Sequence, residues 1–391
     1  MENAQGGRWF DPENLKRWET ERRLPVAIWH EPIATAYGLT VTDVQQAVAV
    51  SRQYRRDQNG ERADVDRRRF IGVAAVTSGV VALPGIAQAR EGIDGGLRGD
   101  DAGDLAYLAA AFERHRGGYR GRSPDAVLAE MRGDLDLLGQ VLNRSHPARD
   151  RVELARTAAG IAGLVAIVQH DRGDQRDAFR WFATAERAAR ESRDRRMTAW
   201  VLARHAMVPL NYGAPQEAAR LAALARREAD AAPTAPTAAA ALSAAVTARA
   251  LAALGDTDCA WLAVREVRGL ADSLDGQEAA DTWFGYPGQK HHVHLSQAYT
   301  LLGDTAAAYA AQEDALELTI SPSVMPRALV AMDTAACRRT DGDPTAAAKM
   351  AAGVLDRLPV AFREGLVRSR AEALHRQLSG RARDHLGQAL A

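Results

Sequence analysis

Cysteine is almost missing from this chain. Cys259 and Cys337 are the only two in 391 residues, too few and too far apart for a disulfide framework or a cysteine-based zinc site. A reducing, cytoplasmic setting is the corresponding expectation. Aromatic residues are also scarce at 6%, and from about residue 103 onward no run alternates apolar and polar side chains with a period of two, which argues against a sheet. Net charge is zero, so no global field draws the whole chain to nucleic acid or to an anionic membrane. No Walker-type glycine loop, HExxH or GxSxG occurs, and Asp341-Gly342-Asp343 lacks the later acidic ligands of a calcium loop. These gaps point away from an enzyme and away from any metal or cofactor.

What fills the sequence is alanine and arginine. Both favour helices, and alanine lets helices approach closely. With 47% apolar residues the chain can bury a sizeable core, and its length suggests two or three domains, all-α in class. Residues 13–23 and 27–37 read as short helices, and a third starts near Thr42 with Asp43 in its first turn. The expected organisation is a small helical region over 1–60, a linker over 61–102, a helical lead-in over 103–158 that could hold a degenerate repeat, a repeat array over 159–361, and a capping helix with a tail over 362–391. Within the linker, Arg67 to Arg90 (RRRFIGVAAVTSGVVALPGIAQAR) joins an arginine triplet to an apolar stretch and a small-x-small exit, the parts of an export signal. Sixty-six residues precede it, and Gly72, Gly79, Pro84 and Gly85 make it a poor spanning helix, so an apolar connector is the favoured reading and stable membrane association is not expected.

The most informative pattern is a repeat. Five glycines end helical stretches: Gly173, Gly213, Gly255, Gly303 and Gly342, and all but Gly213 precede an aspartate. Five residues after each glycine stands alanine (Ala178, Ala218, Ala260, Ala308, Ala347). Twelve after stands a small apolar residue (Ala185, Ala225, Val267, Ala315, Val354), and seven before another small one (Ala166, Ala206, Ala248, Ser296, Ala335). Antiparallel helices joined at such turns can touch closely only where the facing side chains are small. A single hairpin cannot bury its own apolar face, so about five of them are expected to stack into an α-solenoid.

These offsets resemble the tetratricopeptide (TPR) repeat, although the marker spacing of 39–48 residues exceeds the usual ~34. Pro359 falls at that motif's closing proline. Near the N-terminus, DPENLKRWETERRLP (11–25) and IATAYGLTVTDVQQAV (33–48) are similar to the later part of a Cro/repressor-like (XRE-type) helix-turn-helix domain, whose two front helices the ten residues MENAQGGRWF cannot supply. Together with FGYPGQKHHVHLSQAYTLLGDTAAAYAAQEDALEL (284–318), these stretches resemble the actinobacterial helix-turn-helix regulators that carry C-terminal tetratricopeptide repeats.

That resemblance implies a transcriptional regulator, possible as a homodimer, whose array senses a peptide or protein partner. Asn14, Lys16 and Arg17 would then meet base edges, and Arg22 and Arg23 would meet phosphates. Residues 1–60 hold eight Lys/Arg against eight Asp/Glu, without the basic footprint of a groove binder, so an adaptor that captures a peptide or protein without binding DNA is the alternative. An exported or membrane-tethered repeat protein is a third. In such arrays the inward positions of each first helix lie thirteen, ten, six and three residues before the turn glycine. They give His170, Trp200, Met207, Arg249, Lys290, Gln297, Met332 and Arg339 as the partner groove, suited to a peptide carrying an acidic group. In KHHVH (290–294), His291 and His294 share a helical face, but no Glu or Cys stands at a matching position and Lys290 would repel a cation. They are expected to be ordinary interface histidines and not metal ligands.

Overall fold

A computed structural model describes residues 24–37, 40–42, 44–45, 48 and 102–391, apart from 234–235 and 319–323. The chain divides into two compact units, residues 1–86 and 87–391. All regular elements among the described residues are helices.

In the first unit a 3-10 turn over Ala27–Trp29 runs into α1 (His30–Tyr37), which accounts for the expected helix over 27–37. His30 Nε2 lies 3.3 Å from the Pro25 carbonyl, and Ala34, Val44 and Val48 are buried. The expected helix over 13–23, the DNA-contact candidates Asn14, Lys16, Arg17, Arg22 and Arg23, and the apolar segment 67–90 lie outside the described residues.

The second unit opens with α2 (Ala102–His115) and α3 (Pro124–Leu142), both packed on the long α4 (Ala148–Arg172). Five helical hairpins follow in sequence order. They are α4 with α5 (Gln175–Ser192), α6 (Arg195–Asn211) with α7 (Pro215–Asp230), α8 (Ala238–Leu254) with α9 (Thr257–Asp272), α10 (Gly288–Leu302) with α11 (Thr305–Glu317), and α12 (Val324–Thr340) with α13 (Pro344–Arg357). Partners within a hairpin pack on each other, and each first helix also touches the next first helix, α4 to α6, α6 to α8, α8 to α10 and α10 to α12.

The turns explain why the hairpins recur. All five marker glycines sit in the left-handed region, with φ between +79° and +94°, where a Cβ would be strained. At four of them the next aspartate then caps the following helix: Asp174 accepts from Asp177 N–H at 3.0 Å, Asp256 from Cys259 at 3.3 Å, Asp304 from Ala307 at 3.0 Å and Asp343 from Ala346 at 2.8 Å. One residue stops a helix and the next starts its partner. The exception, Ala214, caps nothing, but Pro215 at the first helical position leaves one amide fewer to satisfy. Every residue of the three small-side-chain columns is buried, Val354 being the most accessible at 7%.

α4 is the longest of these helices. By length and composition it could cross a membrane, yet 78% of its apolar window is covered by the rest of the fold. Gly160 and Gly163 in its centre cost about 1 kcal/mol each in helix propensity relative to alanine. A Cβ at Gly160 would collide with the Phe112 ring, and one at Gly163 with the Trp200 indole, so both glycines admit an aromatic ring against the helix backbone.

The C-terminal region departs from the single capping helix with a tail expected over 362–391. A 3-10 turn over Val360–Phe362 leads to α14 (Leu366–Gln377), the chain extends at Leu378, and α15 (Gly380–Leu390) follows. Nor does α14 merely close the end of the array. It touches α12 and α13 but also α4 and α6, far back in sequence, with Ser369 Oγ donating to the Asn211 carbonyl at 2.9 Å. Gly365 makes this return possible. Its φ of +72° and ψ of −128° are open only to glycine, and it lies against the backbone of residues 171–173, where a Cβ would overlap the Asp171 carbonyl.

Two alanine substitutions separate these effects. At Gly255 a Cβ would meet open space, so Gly255→Ala is expected to cost only the left-handed backbone penalty of about 1–2 kcal/mol. Gly365→Ala adds a backbone collision and should cost at least twice as much in urea or thermal unfolding; an equal or smaller loss at Gly365 would show that α14 is not seated as described.

Candidate functional site

The first helices of all five hairpins border one cavity of about 180 Å³: His170 comes from α4, Arg204 and Met207 from α6, Arg249 from α8, Lys290 and His294 from α10, and Leu329 from α12. Arg370 of α14 and Trp283 of the loop joining α9 to α10 complete it. Four of the eight groove positions read from the repeat register, His170, Met207, Arg249 and Lys290, thus meet at one place.

A ladder of hydrogen bonds crosses four first helices beside this cavity. His170 Nδ1 lies 2.9 Å from Asp171 Oδ1, and Asn211 Nδ2 lies 3.0 Å from His170 Nε2. Arg249 Nη2 donates to Asn211 Oδ1 at 2.6 Å, and Arg249 Nη1 lies 3.0 Å from His294 Nδ1. A guanidinium can only donate, so His294 Nδ1 must carry a lone pair and that ring is neutral. The same logic gives His170 its proton on Nδ1, toward Asp171, with Nε2 accepting from the Asn211 amide. Tyr119 donates to the other Asp171 oxygen at 2.8 Å, and Tyr212 to the His170 carbonyl at 2.6 Å.

Arg204, Arg249 and Lys290 make no ion pair among the described residues, although Asp171, Asp333 and Asp281 respectively lie near enough to favour their charged forms. Arg249 is 2% exposed and bonds only to Asn211 and His294, while Arg204, 7% exposed, donates to the Trp283 carbonyl and reaches the Met207 thioether at 3.9 Å. Burial pushes Arg249 down to about 9, with repulsion from Arg370 adding to it, and pushes Arg204 down to about 10. Lys290 keeps some accessible surface, but its ammonium is deep enough that burial lowers its pKa well below the usual lysine range. Its Nζ donates to the carbonyls of Thr282 at 3.0 Å and Gly285 at 2.6 Å. Arg370 is the paired one, 2.7 Å from Asp333, which also accepts from Ser296 at 2.8 Å.

The remaining groove positions lie elsewhere. Gln297, Met332 and Arg339 border a separate cavity of about 160 Å³, where Gln297 accepts from Arg370 at 2.8 Å. Trp200 is covered by the chain itself. The Phe284 ring stacks on it with centroids 3.7 Å apart, and its Nε1 donates to the Trp283 carbonyl at 3.1 Å. The α9–α10 loop is held there by Lys290 and by Trp283 N–H donating to the Arg116 carbonyl at 3.0 Å. A continuous open groove along the first helices, as the repeat register suggests, is therefore interrupted by α14 and by this loop.

Asp171, Arg204, Asn211 and Arg370 were not among the residues expected from the sequence. Arg204 carried a usable signal, an arginine that, with His205, interrupts the otherwise apolar WVLARHAMV stretch of a helix. Of the KHHVH histidines, His294 meets Arg249, and His291 Nδ1 lies 3.4 Å from the Tyr286 hydroxyl. Among the described residues no group of histidine, cysteine and carboxylate side chains is arranged to hold a metal ion. No protein-family model matches the chain, and comparison with curated proteins returns no relative.

The buried histidines set a pH dependence. Burial lowers His291 to about 4 and moves His294 in the same direction, against about 6.5 in an unfolded chain. Between those values the unfolded state binds more protons, so stability is full above about pH 6.5 and falls as the solution is acidified toward the folded value. Going from pH 7.5 to pH 5 should remove about 2 kcal/mol through His291 alone. His291→Gln should flatten the pH profile of the urea midpoint by that amount; an unchanged slope would show that the ring is not neutral and buried in the folded state.

Proposed function

We propose that this chain is a transcriptional regulator of the helix-turn-helix plus tetratricopeptide type, with the five hairpins forming an α-solenoid that acts as its sensing module. The observation that carries this reading is that each first helix sends at least one side chain to the same cation-rich interior, while the small-residue columns are buried between helices. The groups assembled there are hydrogen-bond donors fixed by their neighbours. Such groups recognise a ligand rather than transform one. The sensed partner is a peptide or protein presenting an acidic group, and the reading places the protein in the cytoplasm.

A non-DNA-binding adaptor is the second reading, favoured by the balance of eight Lys/Arg and eight Asp/Glu over residues 1–60. One experiment separates the two. The full chain should retard a DNA fragment from upstream of its own gene, with affinity falling at least about tenfold as salt rises from roughly 50 to 200 mM. Arg22→Ala with Arg23→Ala should weaken that retention across all sequences, as lost phosphate contacts do. No retention at low salt would contradict the regulator reading and leave the adaptor.

A further inference from the structure

The cavity among the first helices mixes cationic and apolar lining. Arg204, Arg249 and Lys290 border it, and none of the three is ion-paired among the described residues. Asp171, the carboxylate bordering the cavity, accepts from Tyr119 and lies beside the His170 ring, and Asp333 is taken by Arg370. Arg204 and Arg249 each leave a buried Nε–H without an acceptor. Three buried cations with no anion of their own are costly in a low-dielectric interior unless a negative charge joins them. Much of the remaining lining is apolar and comes from Ile167, Phe182, Met207, Val293, Leu329 and Leu366, with polar side chains such as Asn211 and Gln289 between them.

We infer that this cavity binds a small monocarboxylate, its carboxylate seated among Arg204, Arg249 and Lys290 and its apolar body against the hydrocarbon of the lining. This rests on reading the array as a sensing module and gives its interior a ligand of its own, separate from the peptide or protein partner. The volume, about 180 Å³, suits a ligand the size of hexanoate or benzoate. Inorganic phosphate would press most of its remaining oxygens onto that hydrocarbon. An extended peptide would bring more backbone groups than the few polar side chains of the lining can satisfy. The partly accessible Lys290, together with Gln289 and Met325, also borders an adjoining cavity beside residues 117–122, which provides the route in.

Titration calorimetry and thermal shift on the full chain, without DNA, test this directly. Hexanoate and benzoate should bind saturably at one site per chain and raise the melting temperature. Hexanol and benzyl alcohol, matched in shape but uncharged, should bind at least tenfold more weakly, and inorganic phosphate should not compete. Arg204→Met should weaken the carboxylates at least tenfold while leaving the alcohols unchanged, and Arg204→Lys should recover part of the loss. Lys290→Met serves as the second variant should Arg204→Met fail to fold, as judged by its melting curve. Equal binding of acid and alcohol, competition by phosphate, parent affinity in both methionine variants, or no heat and no shift at millimolar benzoate would each overturn the inference. So would a peptide ending in phenylalanine that binds more tightly than benzoate. Since the measurement needs no DNA, benzoate binding with no gel shift would overturn the regulator reading alone, and DNA retention without benzoate binding would overturn the ligand class alone.

Discussion

Two helices can approach only as closely as the side chains between them allow, and the second unit of this protein depends on keeping those side chains small at fixed distances from a turn. A left-handed glycine stops each first helix and, in four of five hairpins, the following aspartate caps its partner at once. The two helices therefore leave the turn in a fixed register. Alanine, serine or valine at the three recurrent positions then lets them close on each other and on the neighbouring hairpin. Hydrocarbon burial supplies the driving force, and the turn chemistry decides which faces meet.

The interior that results is not uniformly apolar. Asp171, His170, Asn211, Arg249 and His294 link α4, α6, α8 and α10 through side chains that each have one arrangement compatible with their donors and acceptors. Such a ladder specifies which hairpin lies next to which, because a shift of one turn would strand several buried polar groups. α14 joins the same interior through Arg370 and through the close approach of Gly365 to α4, tying the end of the chain to the beginning of the array. Side chains carried on packed first helices rather than on loops have their geometry fixed in advance.

Periodic features were legible in the sequence and unique ones were not. The hairpins could be read because the same glycine and alanine recur five times and the aspartate four, so chance at one copy is corrected by the others. Counting back from each glycine also located His170, Met207, Arg249 and Lys290, because helical geometry carries a register faithfully over two or three turns. Trp200 came from the same counting, but the register could not show that Phe284 would cover it, since that contact is made by a non-repeating loop eighty residues further on. α14 was similarly hidden. Its amphipathic pattern announces a helix with a buried face, yet nothing local says that Gly365 turns it back toward α4 and α6. Arg204 was overlooked because its position falls between the inward sites of the repeat, although a charge in the middle of an apolar helix was there to be noticed.

The central claim is that α14 lies on the first helices and encloses the cation-rich interior with them. Amide hydrogen exchange on the intact protein tests it most directly. Residues 366–377 should exchange as slowly as the buried α8, residues 238–254, since both would open only with the array as a whole. Exchange over 366–377 at the rate of an unprotected terminal helix, with 238–254 still protected, would contradict the account.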